Sequence, residues 1–125
     1  MLPADAKNIL LVEDDPPSRE LYRSALQRSG HTVVTAEDGM AALRSIWSAL
    51  PKVIVLDMML PRLSGRDVLR ELRANPETRN IPVVIITGAD VRNLAERAGI
   101  PVLQKPFALA VLVDAVDAAV RRASQ

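Results

Sequence analysis

Four short apolar runs of the sequence each end in a side chain that can bind a cation or a phosphate group. In chain order these end residues are Glu13 and Asp14, Asp57, Thr87, and Lys105. The set contains neither histidine nor cysteine, so its ligand atoms are hard oxygens, which suit Mg²⁺ better than a softer metal. Two carboxylates about 5 Å apart repel each other by ~3 kcal/mol at an effective dielectric constant near ~20. Carboxylates that converge in the fold would therefore favour a bound cation.

This combination of side chains is suited to phosphoryl transfer. A carboxylate such as Asp57 can attack phosphorus and form an acyl phosphate. Mg²⁺ and the Lys105 ammonium would neutralise charge on the transferring group. The Thr87 hydroxyl can donate a hydrogen bond to a phosphoryl oxygen. The pattern favours a phosphate-handling site, provided that the fold brings these distant positions together.

Alternating strand and helix patterns predict how the chain does so. The predicted strands are 8–12, 32–36, 53–56, 83–86 and 102–104. The first, third and fourth are nearly continuous apolar runs, as expected of parallel strands covered on both faces. Cap and proline signals predict helices that begin at Pro16, after Asp38, at Ser64 or Gly65, after Asp90 and near Phe107.

The resulting (βα)₅ pattern predicts an α/β fold, a doubly wound, flavodoxin-like three-layer sandwich. Its parallel five-stranded sheet should have the order 2-1-3-4-5, in which strands 1, 3, 4 and 5 are neighbours. Ligands of such sheets bind beyond the carboxyl ends of the strands, so the acids, Thr87 and Lys105 are expected at one edge. We expect a single domain over residues 1–125, structured over about 7–122.

Composition argues against several classes of partner. The chain has 16 basic and 15 acidic residues and a net charge of +1, which gives no electrostatic case for nucleic acid or an anionic membrane. Its only aromatic residues are Tyr22, Trp47 and Phe107, too few for a base-stacking platform. The most apolar stretch, 53–60, contains Asp57 and is too short to span a bilayer. We therefore expect a cytoplasmic protein without nucleic-acid or membrane partners.

Four motifs, in order, resemble those of the receiver domains of two-component response regulators. They are Ile-Leu-Leu-Val-Glu-Asp-Asp at 9–15, Asp-Met-Met-Leu-Pro at 57–61 followed by Gly65, Ile-Ile-Thr-Gly at 85–88, and Lys-Pro-Phe at 105–107. Each motif alone is weak, but four at matching strand ends are specific. The resemblance covers nearly the whole chain.

The resemblance implies a metal site built from two strand ends. Glu13 and Asp14 would be the acidic pair that holds Mg²⁺, Asp14 directly and Glu13 through water. Asp57 and the backbone carbonyl of Met59 would be further ligands. Mn²⁺ would be able to substitute for Mg²⁺.

The resemblance also implies how the phosphoryl group is handled. Asp57 would be the phosphoacceptor, Lys105 would pair with the phosphoryl oxygens, and Thr87 would follow the phosphoryl group and reposition the loop after strand four. The Lys105–Pro106 bond would be cis. The chain would catalyse only its own phosphorylation and dephosphorylation, so we do not expect an enzyme that acts on other substrates.

The implied partners are proteins of a phosphorelay. A histidine kinase, a histidine phosphotransferase or a small acyl or amidophosphate donor would supply the phosphoryl group. A downstream protein target would bind the surface formed by the fourth helix, the fifth strand and the fifth helix. Homodimer formation is left open. No output domain is visible, so the chain is either a stand-alone receiver or a domain of a larger regulator.

Two departures from the family pattern keep other functions open. Val102 stands where an aromatic residue is common, and Thr87 and Lys105 are only 18 positions apart (105 − 87), which predicts a short fourth helix. A phosphorylation-independent interaction domain is therefore an alternative. A Mg²⁺ phosphohydrolase would need a second acid two residues after Asp57, where Met59 stands, and a flavin-binding protein would need aromatic stacking residues.

Three further residues are given structural roles. Asp15 is expected to cap the first helix or to lie outside the metal ligands. His31 is expected at the surface or in the turn before the second strand. Trp47 is expected to pack or to be partly exposed on the second helix.

Overall fold

The computed structural model describes residues 8–88 and 99–123 of the 125-residue chain. Within them, parallel strands form one five-stranded sheet in the order β2-β1-β3-β4-β5, which confirms the predicted topology. In chain order the strands are β1 (Asn8–Val12), β2 (Thr32–Ala36), β3 (Val53–Asp57), β4 (Val83–Thr87) and β5 (Val102–Gln104). β3 and β4 each run one residue further than predicted, so two of the predicted site residues end strands.

Four helices pack on this sheet in the described part of the chain. They are α1 (Pro16–Arg28), α2 (Gly39–Ser48), α3 (Gly65–Ala74) and the C-terminal helix (Leu109–Ala123). The predicted fourth helix, 90–99, lies outside the described residues apart from its last position. None of the helices described is both long enough and apolar enough to cross a membrane.

Each of the first three helices starts on a capping side chain directly after a strand or a short loop. Asp15 accepts a hydrogen bond from the Ser18 N–H at 3.1 Å, and Asp38 accepts one from the Ala41 N–H at 2.8 Å. Ser64 forms a capping box at the start of α3. Such caps satisfy N–H groups that the first turn leaves without partners. The sequence predicted the Asp38 cap, offered Asp15 as a cap or as an acid outside the metal ligands, and placed the start of α3 at Ser64 or Gly65.

Alternate strand residues face two hydrophobic cores, one on each side of the sheet. Ile9 and Leu11 pack in the core that α1 and the C-terminal helix cover. Leu10 and Val12 pack in the opposite core, under α2 and α3. This is the period of two that a strand imposes on its side chains. Every residue of β3 and β4 is buried, so the three-layer packing fixes the carboxyl ends of the central strands.

Two residues with helical spacing typical of the core prove to be exposed. Leu21 of α1 is 50% exposed and Val111 of the C-terminal helix is 46% exposed. The buried stripe of a surface helix is only about 100° wide, so residues at its margin face solvent. Trp47 is half exposed, in line with the prediction for α2.

His31 lies in the turn before β2, as one alternative of the prediction had it, but it is not at the surface. This residue is buried, and its Nε2 lies 2.7 Å from Oδ1 of Asp117 on the C-terminal helix. The C-terminal helix packs against α1 and so covers the turn before β2. The sequence gave no sign that a helix distant in the chain would cover this turn and bury His31.

Candidate functional site

Three carboxylates converge at the carboxyl ends of β1 and β3. Glu13, Asp14 and Asp57 each offer one oxygen, and these oxygens lie within 4.8 Å of one another. Glu13 and Asp14 follow β1 directly, and Asp57 ends β3. Because Val12 of β1 pairs with Leu56 of β3, parallel pairing brings the three acids together. The sequence placed them at one edge, and the structure does the same.

Lys105, which directly follows β5, joins this cluster. Its Nζ lies 2.7 Å from Oε1 of Glu13 and 3.1 Å from Oδ2 of Asp57. Glu13 is 0% exposed and Asp57 is 2% exposed. Removing such carboxylates from water is costly unless they are paired, and Lys105 supplies the pairing. With three carboxylates and one ammonium, the cluster keeps two net negative charges when all four groups are ionised.

The Asp57 carboxylate is held in a fixed orientation. Its Oδ1 accepts a hydrogen bond from the Met59 N–H at 2.9 Å, while its Oδ2 faces Lys105. Gly65 packs against the Asp57 backbone so closely that a Cβ on Gly65 would lie 2.3 Å from the Asp57 carbonyl oxygen. Only glycine therefore allows α3 to begin so close to the end of β3.

The charges of the cluster shift the pKa values of its members. Burial alone would lower the pKa of Lys105, but its hydrogen bonds to Glu13 and Asp57, with their negative charges, outweigh burial and raise that pKa. Asp14 is exposed overall, but partial desolvation of its carboxyl raises its pKa, and the hydrogen bond and negative charge of Glu13 raise it further. Asp14 is harder to ionise because another carboxylate lies beside it, and a site with such repulsion favours a bound cation.

The remaining predicted residues lie at the ends of β4 and β3. Thr87 is fully buried and ends β4, one position beyond Ile86, the pairing partner of Asp57. Its carbonyl accepts a hydrogen bond from the Lys105 N–H at 2.8 Å. Met59 has a largely exposed side chain, and its N–H is bonded to Asp57.

The peptide bond that follows Lys105 is cis, as the resemblance implied.

Two arginines at the rim were not predicted. Arg19 donates from Nη1 to the carbonyl oxygens of Glu13 at 3.0 Å and Asp14 at 3.4 Å. Arg62, in the loop between β3 and α3, pairs with Asp38. Arg19 lies four residues after the Asp15 cap, so one turn of α1 returns it to the strand end, and this spacing could have indicated it. No local signal indicates Arg62, because the contact joins two different loops.

The donor set fits a hard divalent cation. Its three carboxylates offer convergent oxygens, and the two net negative charges left by Lys105 match the charge of one Mg²⁺ or Mn²⁺ ion. No sulfur or imidazole ligand belongs to this group, as expected for a magnesium rather than a zinc site.

Comparisons of the sequence with known proteins agree with this geometry. A family model described as response regulator receiver domain matches residues 9–117. Response regulator MprA of Mycobacterium ulcerans (strain Agy99) is 41% identical over 120 residues, which cover 91% of this chain and 50% of the relative. Response regulator MprA of Mycobacterium avium (strain 104) is 40% identical over 120 residues, which cover 91% of this chain and 51% of the relative. The chain spans about half the length of these curated relatives.

Solved structures of receiver domains superpose on this chain over most of its length. The Francisella response regulator 1452 receiver domain superposes with a TM-score of 0.83 at 30% identity, covering 93% of this chain and 98% of that one. A response regulator receiver domain protein from Clostridium thermocellum superposes with a TM-score of 0.84 at 29% identity, covering 94% and 97%.

Proposed function

The chain belongs to the family of response regulator receiver domains, the signalling modules of two-component systems, and from that premise we propose that Asp57 is its phosphoacceptor. The observation that carries the proposal is the buried cluster at the carboxyl edge. Asp57 is held there between the Met59 N–H and Lys105, beside two further carboxylates. A buried, oriented carboxylate next to a lysine and a cation site is what attack on phosphorus requires.

In the proposed reaction, a carboxylate oxygen of Asp57 attacks the phosphorus of the donor. A new O–P bond forms as the P–N bond of a phosphohistidine, or the P–O bond of an acyl phosphate, breaks. The electron pair stays with the leaving nitrogen or oxygen, and a histidine nitrogen that leaves takes up a proton. Lys105 neutralises negative charge on the phosphoryl oxygens, and the Thr87 hydroxyl donates to one of them.

The proposed cation ligands are Glu13, Asp14, Asp57 and the Met59 backbone carbonyl. A divalent ion bound there would supply charge neutralisation for the phosphoryl oxygens. Glu13 is fully buried and accepts a hydrogen bond from Lys105, which fixes that lysine, and it would hold the ion through water, as the resemblance implied. Asp14 is exposed, which suits a ligand that the ion reaches from solvent.

Phosphorylation would act as a switch because it changes the charge inside this cluster. A phosphoryl group adds about −1.5 to −2 charges at neutral pH. Lys105 would then divide its hydrogen bonds between the phosphoryl group and Glu13, and we expect the loops after β3 and β4 to shift in response. The Lys105 N–H bond to the Thr87 carbonyl ties the β5 end to the β4 end, which supports a shift that reaches β5.

The remaining features are proposed from the family. A histidine kinase or phosphotransferase would donate the phosphoryl group, and a downstream protein would bind near the predicted fourth helix, β5 and the C-terminal helix. Residues 1–125 would form one domain with no catalytic activity beyond its own phosphorylation and dephosphorylation. The cytoplasmic location and the absence of nucleic-acid partners stay predictions from the sequence.

The proposal is tested by incubating the chain with acetyl phosphate and reading its intact mass. We expect a gain of one phosphoryl group in the presence of Mg²⁺ and none in EDTA. Asp57→Asn should take no label, whereas Asp114→Asn, at an exposed position on the C-terminal helix, should behave as wild type. A label that persists in Asp57→Asn would contradict the proposal. A folded wild-type chain that accepts no phosphoryl group from small donors or kinases would favour the phosphorylation-independent interaction domain.

A further inference from the structure

Arg62 lies at the rim of the acidic site in a strained backbone conformation. Its φ is 67°, in the left-handed region that residues with a side chain rarely adopt. Such a conformation persists only where the surrounding contacts hold it, and it is common at functional sites. Contacts of the Arg62 side chain and of its loop hold this conformation.

Asp38 holds the Arg62 guanidinium in place. One Asp38 oxygen, Oδ1, accepts the hydrogen bond that caps α2, and the other, Oδ2, lies 3.3 Å from Nη1 of Arg62. The loop also packs directly on the start of α2, since a Cβ on Gly39 would lie 2.1 Å from the carbonyl oxygen of Leu63. Asp38 is buried, but the Arg62 side chain is 75% exposed. The guanidinium is thus anchored at one end while other N–H groups face solvent.

The anchored guanidinium lines a cleft that also contains a residue of the proposed metal site. Arg62 and Pro61 line a cleft of about 300 Å³ together with Asp14, Glu37 and Asp38. Asp14 belongs to the carboxylate cluster, so the cleft opens onto the proposed reaction centre. Among the residues that the structure describes, the other charged residues that line it are acidic and would repel an incoming phosphate dianion. Arg62 is the lining residue whose charge attracts one.

We propose that Arg62 is a specificity-determining residue that selects for phosphoryl donors with a high negative charge. The inference rests on the proposed phosphorylation of Asp57. The inference predicts that the Arg62 charge has opposite effects on the binding of the donor and on the binding of the cation. A positive charge anchored in the cleft that Asp14 also lines attracts a dianionic donor, but it repels the divalent cation that the cluster is proposed to bind.

These opposite signs distinguish a charge effect from a structural one. In Arg62→Gln we expect phosphorylation by acetyl phosphate, a dianion, to slow roughly two- to fivefold, as expected for exposed charges several ångströms apart in water. Phosphoramidate, which carries less net negative charge, should be affected less. Mg²⁺ should bind the unphosphorylated variant roughly twofold more tightly. A variant that had only lost loop structure would bind Mg²⁺ and react with both donors less well.

The experiment compares wild type, Arg62→Gln, Arg62→Lys and Arg70→Gln. Arg70 is an exposed arginine of α3 that pairs with Asp67, so Arg70→Gln is a matched control for removing one arginine charge. Initial rates with the two donors are read by intact mass at low ionic strength and again at high salt, and Mg²⁺ affinity is measured by calorimetry. We expect Arg62→Lys and Arg70→Gln to stay near wild type, and high salt to shrink the effect of Arg62→Gln.

Several results would overturn the inference. It fails if Arg62→Gln matches Arg70→Gln, if both donors slow equally, or if Mg²⁺ binding weakens along with the rate. In each of these cases wild type is still phosphorylated, so the proposed function stands. A wild-type chain that takes no phosphoryl group from either donor would overturn the proposed function, and this inference with it.

Discussion

The carboxyl ends of the strands form one edge of the sheet, the carboxyl edge, and their amino ends form the opposite one, the amino edge. The two edges differ in how their charged groups are buried and paired. At the carboxyl edge, Glu13 and Asp57 are almost completely buried and share Lys105. At the amino edge, a cavity of about 340 Å³ is larger than the carboxyl-edge cleft of about 300 Å³. Three arginines line that cavity, and in the described part of the chain none of them pairs with a carboxylate; they are Arg73, Arg79 and Arg122. All three are exposed.

This difference shows that buried charged side chains paired with one another indicate the candidate functional site better than the volume of a cavity does. An exposed arginine costs little folding free energy, because water solvates its charge. A buried carboxylate costs several kcal/mol unless a partner compensates, so a buried cluster persists only with specific pairing. Variants at the carboxyl edge should therefore have large effects on stability and phosphorylation, and variants at the amino edge small ones.

The largest effect should follow from Lys105→Met. Removing the ammonium leaves Glu13 and Asp57 buried without their shared partner, so we expect a loss of about 3 kcal/mol in the free energy of unfolding. Urea denaturation in EDTA measures it. Lys52→Met, at an exposed position near the amino edge, is the matched control and should change stability by less than about 0.5 kcal/mol. Similar losses in the two variants would remove the contrast between the edges.

Gly65→Ala should have the next largest effect. The added Cβ would lie 2.3 Å from the Asp57 carbonyl oxygen, so the start of α3 must move. We expect a loss of about 2 kcal/mol, as for overpacking elsewhere, despite the better helix propensity of alanine. Gly88→Ala is the control, because a Cβ there would meet no atom of the described residues within 4 Å. Thermal or urea unfolding measures the stability of both variants. If Gly65→Ala is as stable as Gly88→Ala, the start of α3 can move without a cost in stability.

Asp14→Asn should have a smaller effect that depends on pH. The pKa of Asp14 is raised in the folded chain, so its contribution to stability is present below its unfolded pKa of 3.8 and is lost as pH rises through the folded value. In EDTA the variant should therefore be more stable than wild type at pH 7, and the difference should close as the pH falls towards 3.8. Asp114→Asn controls for the loss of one charge. A stability difference that is independent of pH would argue against repulsion within the cluster.

The smallest effect should follow from Arg122→Ala at the amino edge. The side chain is exposed and unpaired with any described carboxylate, so we expect stability to change by less than about 0.5 kcal/mol. The rate of phosphorylation by acetyl phosphate should stay at the wild-type value. A change of threefold or more in that rate would mean that the two edges are coupled, and it would break the comparison.

Local signals in the sequence were sufficient for most of the fold. Apolar runs marked all five strands to within one residue, and Asp15, Asp38 and Ser64 marked the starts of three helices. These features depend on neighbours a few positions away, which the sequence displays. The burial of His31 was not foreseen, because it depends on how the C-terminal helix packs against α1.

The sequence by itself determined the types of the site residues and the strand end at which each stands. It could not determine their contacts. Lys105 meets Asp57 across 48 positions and Glu13 across 92, and Arg62 meets Asp38 from another loop. Only the tertiary structure decided these pairings, because the register of parallel strands and the packing of loops on helix starts set distances between parts of the chain that no local pattern relates.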